Sequence, residues 1–402
     1  MVHHTMTTNS TSASRASSRI SSMSRFLVLA AIVGMLAACG SVPLPPMEVA
    51  PPRPAAAAGT PTAPDDGAPL PGPIVQGRSR WQPVRWSELP GFDTDETYEA
   101  WNAWLKSCER APAPFAALCP EVRRLSLASP QEQRAWMMQR LQPYRVEPLN
   151  GPAEGLLTGY YEPMLEASRR PTASQNVPLY RPPATLGSRR PWYTRQEIDT
   201  LPEARAALRG REIAYVADPL DALVLQIQGS GRVRIAEPDG SVRTVRLAFA
   251  GSNDQPYRSV GGWLLQQGLL RDASWPGIKA WAVQNPQRVN EMLWSNPRTV
   301  FFREEPLSEF DASFGPRGAQ GVPLTPGRSI AVDKDSIPYG TPVWLVSQGP
   351  VTSLQRLVLA QDTGSAITGA VRADYFAGWG PEAGELAGRL KQPLRLWVLW
   401  PK

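Results

Sequence analysis

LVLAQDTGSAITGAVRADY, residues 357–375, is the stretch on which the interpretation of the whole sequence depends. Its first four residues form an apolar run of strand character, and this run leads Asp362 into a Thr-Gly turn. A second short apolar pair follows, and Arg372 and Asp374 lie beyond it. The pattern predicts two carboxylates at the ends of short buried segments rather than on a solvated helix face.

The acids of this stretch have two interpretations. Asp-Thr-Gly alone is ordinary turn chemistry, because Asp bonds its own backbone and Gly accepts positive φ. A third acid, Asp333, precedes a Pro-Tyr-Gly turn and a Val-Trp-Leu strand, so it also lies at a strand edge. Arg372 is two residues before Asp374, and positions two apart on an extended segment point to the same side. Together these residues indicate a polar site.

These segments resemble the membrane-bound lytic transglycosylase A (MltA) family and its three-aspartate domain. Asp333, Asp362 and Asp374 match the three acids of that domain. The resemblance covers roughly residues 86–402, and the order of its motifs makes it specific. The motifs are LLTGYYEP (156–163), DPLDALVLQIQGSGRVRI (218–235), YRSVGGWLLQQGLL (257–270), NPRTVFF (296–302), SIAVDKDSIPYGTPVWL (329–345) and LVLAQDTGSAITGAVRADYFAGWGPEAGELAG (357–388).

The resemblance implies a discontinuous fold. It implies a double-psi β-barrel built from residues 81–163 and 297–402, of which about 325–402 form the three-aspartate domain. A second, β-barrel-like domain would be inserted at 164–296. The residue pattern by itself predicts only a mostly β protein with several helices and two domains.

The resemblance also implies a reaction. Ordinary glycosidases use two carboxylates, whereas a lytic transglycosylase needs one, because the muramyl C6 hydroxyl attacks C1 and leaves a 1,6-anhydro end. The acid donates a proton first and then accepts one. By this analogy we expect Asp374 to be the acid, Asp362 to support it and Asp333 to be structural. Arg372 is expected either to bind sugar or a carboxylate or to be a surface residue.

Sugar contacts are expected from aromatic and polar residues near these acids. A flat aromatic ring covers the apolar face of a pyranose, while amides and hydroxyls take its hydroxyl groups. The candidates for substrate binding are Thr158, Tyr160, Gln226, Gln228, Gly229, Ser230, Arg372 and Trp379.

Gly229-Ser230-Gly231 is predicted to be a tight turn. The apolar segment 222–227 predicts a strand that returns as a second strand, 232–235, and another hairpin is predicted at Asp239-Gly240. A nucleotide-binding loop would need a further glycine and a following helix. A nucleophile elbow would need outer glycines and a histidine.

Helix signals occur between the strand-like segments. Residues 98–105 carry an apolar face, and Ser129–Glu132 and Thr194–Glu197 are capping boxes. Further helices are predicted at 259–270 and at 287–294, the latter after Asn285 and Pro286.

The N-terminus has the features of a lipoprotein leader. The apolar run 26–38 follows an arginine-containing segment and is too short to span a bilayer. Its end, Leu-Ala-Ala-Cys39, resembles a lipobox, so 1–38 is predicted to be a signal peptide and Cys39 a lipidated N-terminus. The Gly-Ser that follows resembles outer-membrane sorting in Gram-negative bacteria. A plain signal peptide or a short core helix is the alternative.

The segment 39–80 is rich in Pro and Ala and predicts a semi-rigid tether. In polyproline II form it would extend by about 3.1 Å per residue. The protein would then lie on the periplasmic face of the outer membrane, with peptidoglycan glycan strands as its main partner and other cell-wall enzymes as further partners.

Charge and composition exclude several classes. The 402 residues carry a formal charge of +6, and removal of the leader leaves 39 basic and 36 acidic residues. No dense Lys/Arg stripe is present, so no nucleic-acid partner is predicted.

Cysteine and histidine limit the chemistry further. Besides Cys39, the chain has Cys108 and Cys119, which could form a disulfide in an exported protein or stay as buried thiols. His3 and His4, the two histidines of the sequence, lie in the leader. A Ser-His-Asp or Cys-His mechanism and the usual zinc site are therefore excluded for the mature chain. No metal or cofactor is predicted.

Three other functions stay open. Gln-Asp-Thr-Gly-Ser resembles the loop of aspartic proteases, but such enzymes need two of these loops and the chain has one. A non-catalytic lipoprotein could bind peptidoglycan through the same groove. A hydrolytic muramidase would leave a reducing end in place of the anhydro ring.

Overall fold

The computed structural model describes residues 69–402. Its strands are β1 (Ile74–Gln76), β2 (Ser79–Pro83), β3 (Leu141–Pro148), β4 (Gly155–Glu162), β5 (Met164–Ser168), β6 (Val177–Tyr180), β7 (Glu212–Val216), β8 (Ser230–Ala236), β9 (Val242–Ser252), β10 (Val300–Pro306), β11 (Ser329–Val332), β12 (Pro342–Gln348), β13 (Ser353–Asp362), β14 (Arg372–Trp379) and β15 (Lys391–Pro401). Its helices are α1 (Tyr98–Ser107), α2 (Ala113–Ala116), α3 (Cys119–Arg124), α4 (Pro130–Arg140), α5 (Arg195–Thr200), α6 (Pro202–Leu208), α7 (Pro219–Gln228), α8 (Val260–Gln266), α9 (Trp275–Gln284), α10 (Val289–Trp294), α11 (Glu309–Ala312) and α12 (Gly380–Arg389).

The predicted leader, Cys39 and most of the predicted tether lie outside the described residues. The tether was predicted to reach residue 80, and this boundary is wrong. Strand β1 pairs with β2 in a hairpin, with Gln76 opposite Ser79. Gly77 has a φ of +52°, which lets the chain turn tightly between the two strands. The folded part of the chain therefore begins before residue 80.

A nine-stranded sheet has the order β1-β2-β3-β15-β12-β13-β11-β14-β4. Strand β15 also pairs with β4, so six strands close into a ring. Alternate residues of all six ring strands share one buried cluster, which includes Leu157, Ile330, Val343, Val358, Tyr375 and Leu396. The prediction of a mostly β protein with several helices is confirmed, whereas the double-psi crossing stays a prediction.

The opposite face of the ring is divided into two parts. On β12, β13 and β15 it packs against α1, α3 and α4 through a second cluster, which includes Trp101, Trp344 and Trp397. On β14 and β4 the outward residues include Asp374 and Thr158, which are paired positions of the two strands. The outer face of the ring thus packs into a second core on β12, β13 and β15, and it carries polar side chains on β14 and β4.

A six-stranded sheet occupies much of the segment between β4 and β11. Its order is β10-β9-β8-β5-β7-β6, and its apolar residues form a separate cluster. The edge strands β6 and β10 approach each other. No ladder joins these two edges within residues 69–402, so the sheet curves towards a barrel without closing.

The predicted strand at 222–227 is wrong, because this segment belongs to helix α7. Asp218 caps the helix by accepting a hydrogen bond of 2.8 Å from the backbone N–H of Leu220, and Pro219 occupies the first helical position. Gly229 ends the helix in a left-handed conformation with a φ of +83°. The Gly-Ser-Gly segment is therefore a helix end followed by a strand, and the Asp239-Gly240 hairpin between β8 and β9 is confirmed.

Several local predictions are confirmed. Both capping boxes are present, at the N-termini of α4 and α5, and Cys108 and Cys119 form a disulfide. The predicted helix at 259–270 ends at Gln266. The helix predicted at 287–294 begins as a 3-10 turn, Pro286–Arg288, before α10. Helix α9 was not predicted.

No helix between residues 69 and 402 is long and apolar enough to cross a bilayer.

Candidate functional site

Asp362 and Asp374 lie on either side of one residue of strand β11. Ala331 pairs with Asp362 of β13 and with Asp374 of β14. The pairing between β11 and β13 shifts at this point, because Ile330 is opposite Ala360 and the next residue is opposite Asp362. A bulge of this kind redirects the side chains that follow it. It brings Asp362 into the same row as Asp374.

Within residues 69–402, Asp362 accepts hydrogen bonds from neutral donors only. The backbone N–H of Ala319 donates to Oδ1 at 2.9 Å, and the hydroxyl of Tyr160 donates to Oδ2 at 2.9 Å. Burial raises the pKa of the Asp362 carboxyl to about 6, and the negative charge of Asp374 acts in the same direction. The hydrogen bonds from Thr363, Ala319 and Tyr160 lower this pKa and only partly offset the burial.

Asp374 is held differently. The hydroxyl of Thr158 donates to its Oδ1 at 2.5 Å, and the same hydroxyl accepts a hydrogen bond of 2.8 Å from Arg372. Burial raises the pKa of Asp374, while the Thr158 hydrogen bond and the charge of Arg372 lower it. Arg372 also donates to the backbone oxygens of Leu156 and Ala373. Asp374, Thr158 and Arg372 therefore form a hydrogen-bonded network, in which the Thr158 hydroxyl links the carboxylate to the guanidinium.

A cleft of about 590 Å³ runs between the two sheets. Asp362 lies on its wall, together with five of the predicted substrate-binding residues: Tyr160, Gln226, Gln228, Gly229 and Ser230. Among the described residues, the cleft lining does not include four others from the prediction: Asp374, Thr158, Arg372 and Trp379. The cleft lining thus includes Asp362 and does not include Asp374, although both residues are half-buried.

The two glutamines are anchored through their side-chain oxygens. Gln226 accepts a hydrogen bond of 2.8 Å from Arg195, and Gln228 accepts one of 3.0 Å from the backbone N–H of Tyr161. Since Asn and Gln amides also carry two donors, each side chain retains an NH₂ group that can bind a ligand in the cleft. This arrangement depends on helix α7 and not on the predicted hairpin.

Trp379 was predicted to stack on a sugar, and the structure gives it other neighbours. The guanidinium of Arg232 lies 4.0 Å from the centre of its ring. Arg232 and Arg246 both form ion pairs with the fully buried Glu162, at 2.8 and 2.6 Å. One face of Trp379 is therefore covered by a buried ionic cluster at the junction of the two sheets.

Asp333 binds backbone groups of its own turn and of the segment before β14. It accepts hydrogen bonds of 3.0 Å from the N–H of Asp335 and 2.8 Å from the N–H of Gly369. Arg78 approaches it at 3.4 Å. These contacts are what a structural acid would make.

Sequence reasoning missed the loop that approaches Asp362. A Cβ on Gly318 would lie 2.5 Å from the backbone oxygen of Gln361, so this position requires glycine. The close approach brings the N–H of Ala319 to Asp362. The glycines of PRGAQG, residues 316–321, were the available signal, because glycine often marks such an approach. Four cleft arginines, Arg110, Arg298, Arg303 and Arg317, were also missed.

No cluster of three or more potential metal ligands occurs in the described part of the chain.

Two family models match this chain: the MltA specific insert domain over residues 156–303 and the 3D domain over residues 328–400. The lytic transglycosylase LtgG of Burkholderia pseudomallei is 44% identical, and the match covers 83% of this chain and 98% of that one with a TM-score of 0.56. The chain belongs to the MltA family. The resemblance noted in the sequence is thereby confirmed.

Other MltA proteins are similar at lower identity. The monoclinic crystal form of MltA from Neisseria gonorrhoeae is 30% identical, with a TM-score of 0.68 and coverage of 83% of this chain and 96% of that one. The curated membrane-bound lytic murein transglycosylase A of Vibrio cholerae is 31% identical over 258 residues. That match covers 61% of this chain and 65% of the relative, just under two thirds of its length.

Proposed function

We propose that this protein is a lytic transglycosylase that cleaves the β-1,4 bond between N-acetylmuramic acid and N-acetylglucosamine in peptidoglycan. Membership of the MltA family and the names of its relatives support the substrate and the reaction class. The observation that carries the proposal is the one carboxyl group of the described cleft lining, that of Asp362, whose pKa is raised.

We assign the acid role to Asp362, which reverses the assignment suggested by the resemblance. A proton donor must reach the glycosidic oxygen, and Asp362 lies on the cleft. Its pKa of about 6 keeps a useful fraction protonated near neutral pH. Asp374 does not line the cleft and accepts a hydrogen bond from Thr158, so we assign it the role of a neighbouring negative charge that raises the pKa of Asp362.

The reaction then needs one acid. Protonated Asp362 gives its proton to the glycosidic oxygen, and the bond from that oxygen to muramyl C1 breaks. The C6 hydroxyl oxygen of the same muramyl unit attacks C1 and closes the 1,6-anhydro ring. The Asp362 carboxylate accepts the proton of that hydroxyl and is restored.

The neighbours of Asp362 prepare it for both steps. The Tyr160 hydroxyl and the Ala319 N–H stabilise the carboxylate after proton transfer, because hydrogen bonds to the charged form favour it. The NH₂ groups of Gln226 and Gln228 are suited to hold sugar oxygens in the cleft. No cofactor is required by this scheme.

We further propose that the mature protein is a lipoprotein of the outer membrane that faces the periplasm. The support is the lipobox-like segment ending at Cys39 and the name of the Vibrio cholerae relative, which calls that protein membrane-bound. The Pro/Ala-rich segment after Cys39 would serve as the tether.

Product analysis tests the proposed function. Purified sacculi digested with the wild-type protein should release muropeptides with 1,6-anhydromuramic ends, identified by mass spectrometry because they are one water lighter than the hydrolytic products. The Asp362→Asn variant should release none. Reducing ends would identify a hydrolytic muramidase, and co-sedimentation with sacculi without soluble product would identify a binding protein. Either result overturns the proposal.

A further inference from the structure

The cleft is strongly basic for a site that holds a sugar chain. Four arginines line it, Arg110, Arg298, Arg303 and Arg317, and Asp362 is the one carboxylate among the described residues of its lining. Arg303 pairs with Glu305 at 2.7 Å. The other three form no salt bridge with any carboxylate in the described part of the chain.

Two of these arginines lie beside the proposed acid. Arg317 donates to the backbone oxygen of Gly321 at 3.0 Å, and it is two residues from Ala319, which binds Asp362. Arg110 lies over the same loop, since a Cβ on Gly321 would be 2.6 Å from its Nη1. Gly321 has a φ of +86°, a left-handed conformation that favours glycine at the end of the loop 316–321.

The other two arginines lie within residues 156–303, which match the MltA specific insert domain, before or on strand β10 of the six-stranded sheet. Arg298 precedes strand β10 and donates to the backbone oxygen of Gln255 at 3.1 Å. Arg303 lies on β10 and donates to the backbone oxygen of Phe249, which also lines the cleft. Separate segments of the chain therefore contribute guanidinium groups to one cleft, and three of the four groups, those of Arg298, Arg303 and Arg317, donate to backbone carbonyls.

A neutral sugar does not need this charge. N-acetylated hexoses offer hydroxyls and amides, which the glutamines of α7 can bind, whereas guanidinium groups are best matched by carboxylates. Peptidoglycan carries carboxylates outside its sugar rings, on the peptide stems attached to muramic acid. Where a stem has been removed, the lactyl group of muramic acid carries a free carboxylate instead.

We propose that these arginines bind the carboxylates of the peptide stems, so that strands bearing stems are the preferred substrate. The proposal rests on the proposed function and specifies its substrate. Arg110 and Arg317 would hold a stem next to the scissile bond, and Arg298 and Arg303 would hold one from the region that matches the insert domain.

The test compares one enzyme on two substrates. Glycan strands with intact stems and strands stripped by an amidase are digested, and the ratio of the two kcat/KM values is measured for the wild type and for Arg110→Gln/Arg317→Gln. The ratio should fall about ten-fold in the double variant. Arg110→Lys/Arg317→Lys, which keeps the charges, should recover part of it. Arg124→Gln, an exposed arginine of α3 outside the cleft, should leave the ratio unchanged.

Two outcomes overturn the proposal. If kcat/KM is unchanged on both substrates in the double variant, the arginines do not bind the stems. If kcat/KM falls equally on both substrates, so that the ratio is again unchanged, the arginines bind the lactyl carboxylate or the sugar chain itself.

A binding arm separates this inference from the proposed function. The Asp362→Asn variant, with and without the two Arg→Gln changes, is co-sedimented with intact and stripped strands at rising salt. Preferential binding of intact strands that depends on Arg110 and Arg317 supports the inference even if no anhydro product is ever found. Equal binding of both strands by the protein with its arginines intact contradicts it.

Discussion

The two buried carboxyl sites of the ring differ in what surrounds them. Asp362 accepts hydrogen bonds from neutral donors and lies on the cleft wall, whereas Asp374 is bound by a threonine whose hydroxyl accepts a hydrogen bond from Arg372. Burial raises the pKa of both acids. The difference teaches that a raised pKa alone does not select the proton donor, because the donor must also reach the substrate.

The strongest test of this difference is the loss of turnover in two single variants. Asp362→Asn should lower kcat by about 10³-fold, since it removes the group that gives and takes the proton. Asp374→Asn should lower kcat by only about ten-fold, since it removes a neighbouring charge. Both are measured as release of anhydro-muropeptides at neutral pH.

Circular dichroism melting curves provide the control for this pair. Each variant should unfold close to the wild-type temperature, so that lost activity reports chemistry. Full activity in Asp362→Asn together with none in Asp374→Asn would restore the original assignment of the two acids.

The second test uses the pH dependence of stability. An acid whose folded pKa lies above its unfolded value stabilises the fold at low pH, and this contribution is lost as pH rises through the folded pKa. For Asp362 the window runs from its ordinary value of 3.8 to about 6. The corresponding free energy is at most about 3 kcal/mol.

Urea unfolding at pH 4 and pH 7 measures this contribution. The wild type should lose stability relative to Asp362→Asn as the pH rises, because only the wild type must ionise the buried carboxyl at position 362. A constant difference between the two proteins would contradict the raised pKa. The Asp374→Asn variant, measured in parallel, shows how much of the effect depends on the neighbouring charge.

The third test changes the hydrogen-bonded network of Asp374, Thr158 and Arg372. Thr158→Val keeps the shape of the side chain but removes the hydroxyl that binds Asp374 and Arg372. It leaves a buried carboxyl without this donor, so the free energy of unfolding should fall by about 1–3 kcal/mol.

Thr158→Ser keeps the hydroxyl and is the matched control, with a smaller loss of stability. Denaturant titration of the two variants gives the difference. If valine and serine destabilise the protein equally, the hydroxyl does not support Asp374.

The sequence predicted features formed by neighbouring residues better than features formed by residues far apart in the chain. The capping boxes at Ser129 and Thr194 need only four adjacent residues, and both are confirmed. The acids were identified as site residues from their local motif. The presence of only Asp362 on the cleft wall was not predicted, because it depends on Ala331, which pairs with both acids from a separate strand, and on a bulge in that pairing.

The errors have the same origin. Residues 222–227 look like a buried strand because the segment is a short apolar run interrupted only by Gln226, and only the Asp-Pro start and the glycine end reveal a helix. The basic cleft was missed because its arginines come from three separate segments of the chain. No local pattern marks residues that only the tertiary fold brings together.

The fourth test, Tyr160→Phe, has the smallest expected effect, and it identifies which of the two acids titrates in the pH profile of kcat/KM. The Tyr160 hydroxyl donates to Asp362, and this bond lowers the pKa of that carboxyl. In Tyr160→Phe the ring keeps its contact with Phe376, at 5.3 Å between ring centres, while the hydrogen bond is lost. The pKa of Asp362 should therefore rise further.

Because the reaction begins from protonated Asp362, the alkaline limb of kcat/KM against pH should move upwards in Tyr160→Phe, by about half a pH unit. The maximal rate should fall about three-fold, since the carboxylate formed after proton transfer has lost one donor. Thr158→Val should leave that limb in place if Asp374 is not the donor. An upward shift in the valine variant, and none in the phenylalanine variant, would mean that the titrating acid is Asp374, because each substitution removes a hydrogen bond to only one of the two carboxyls.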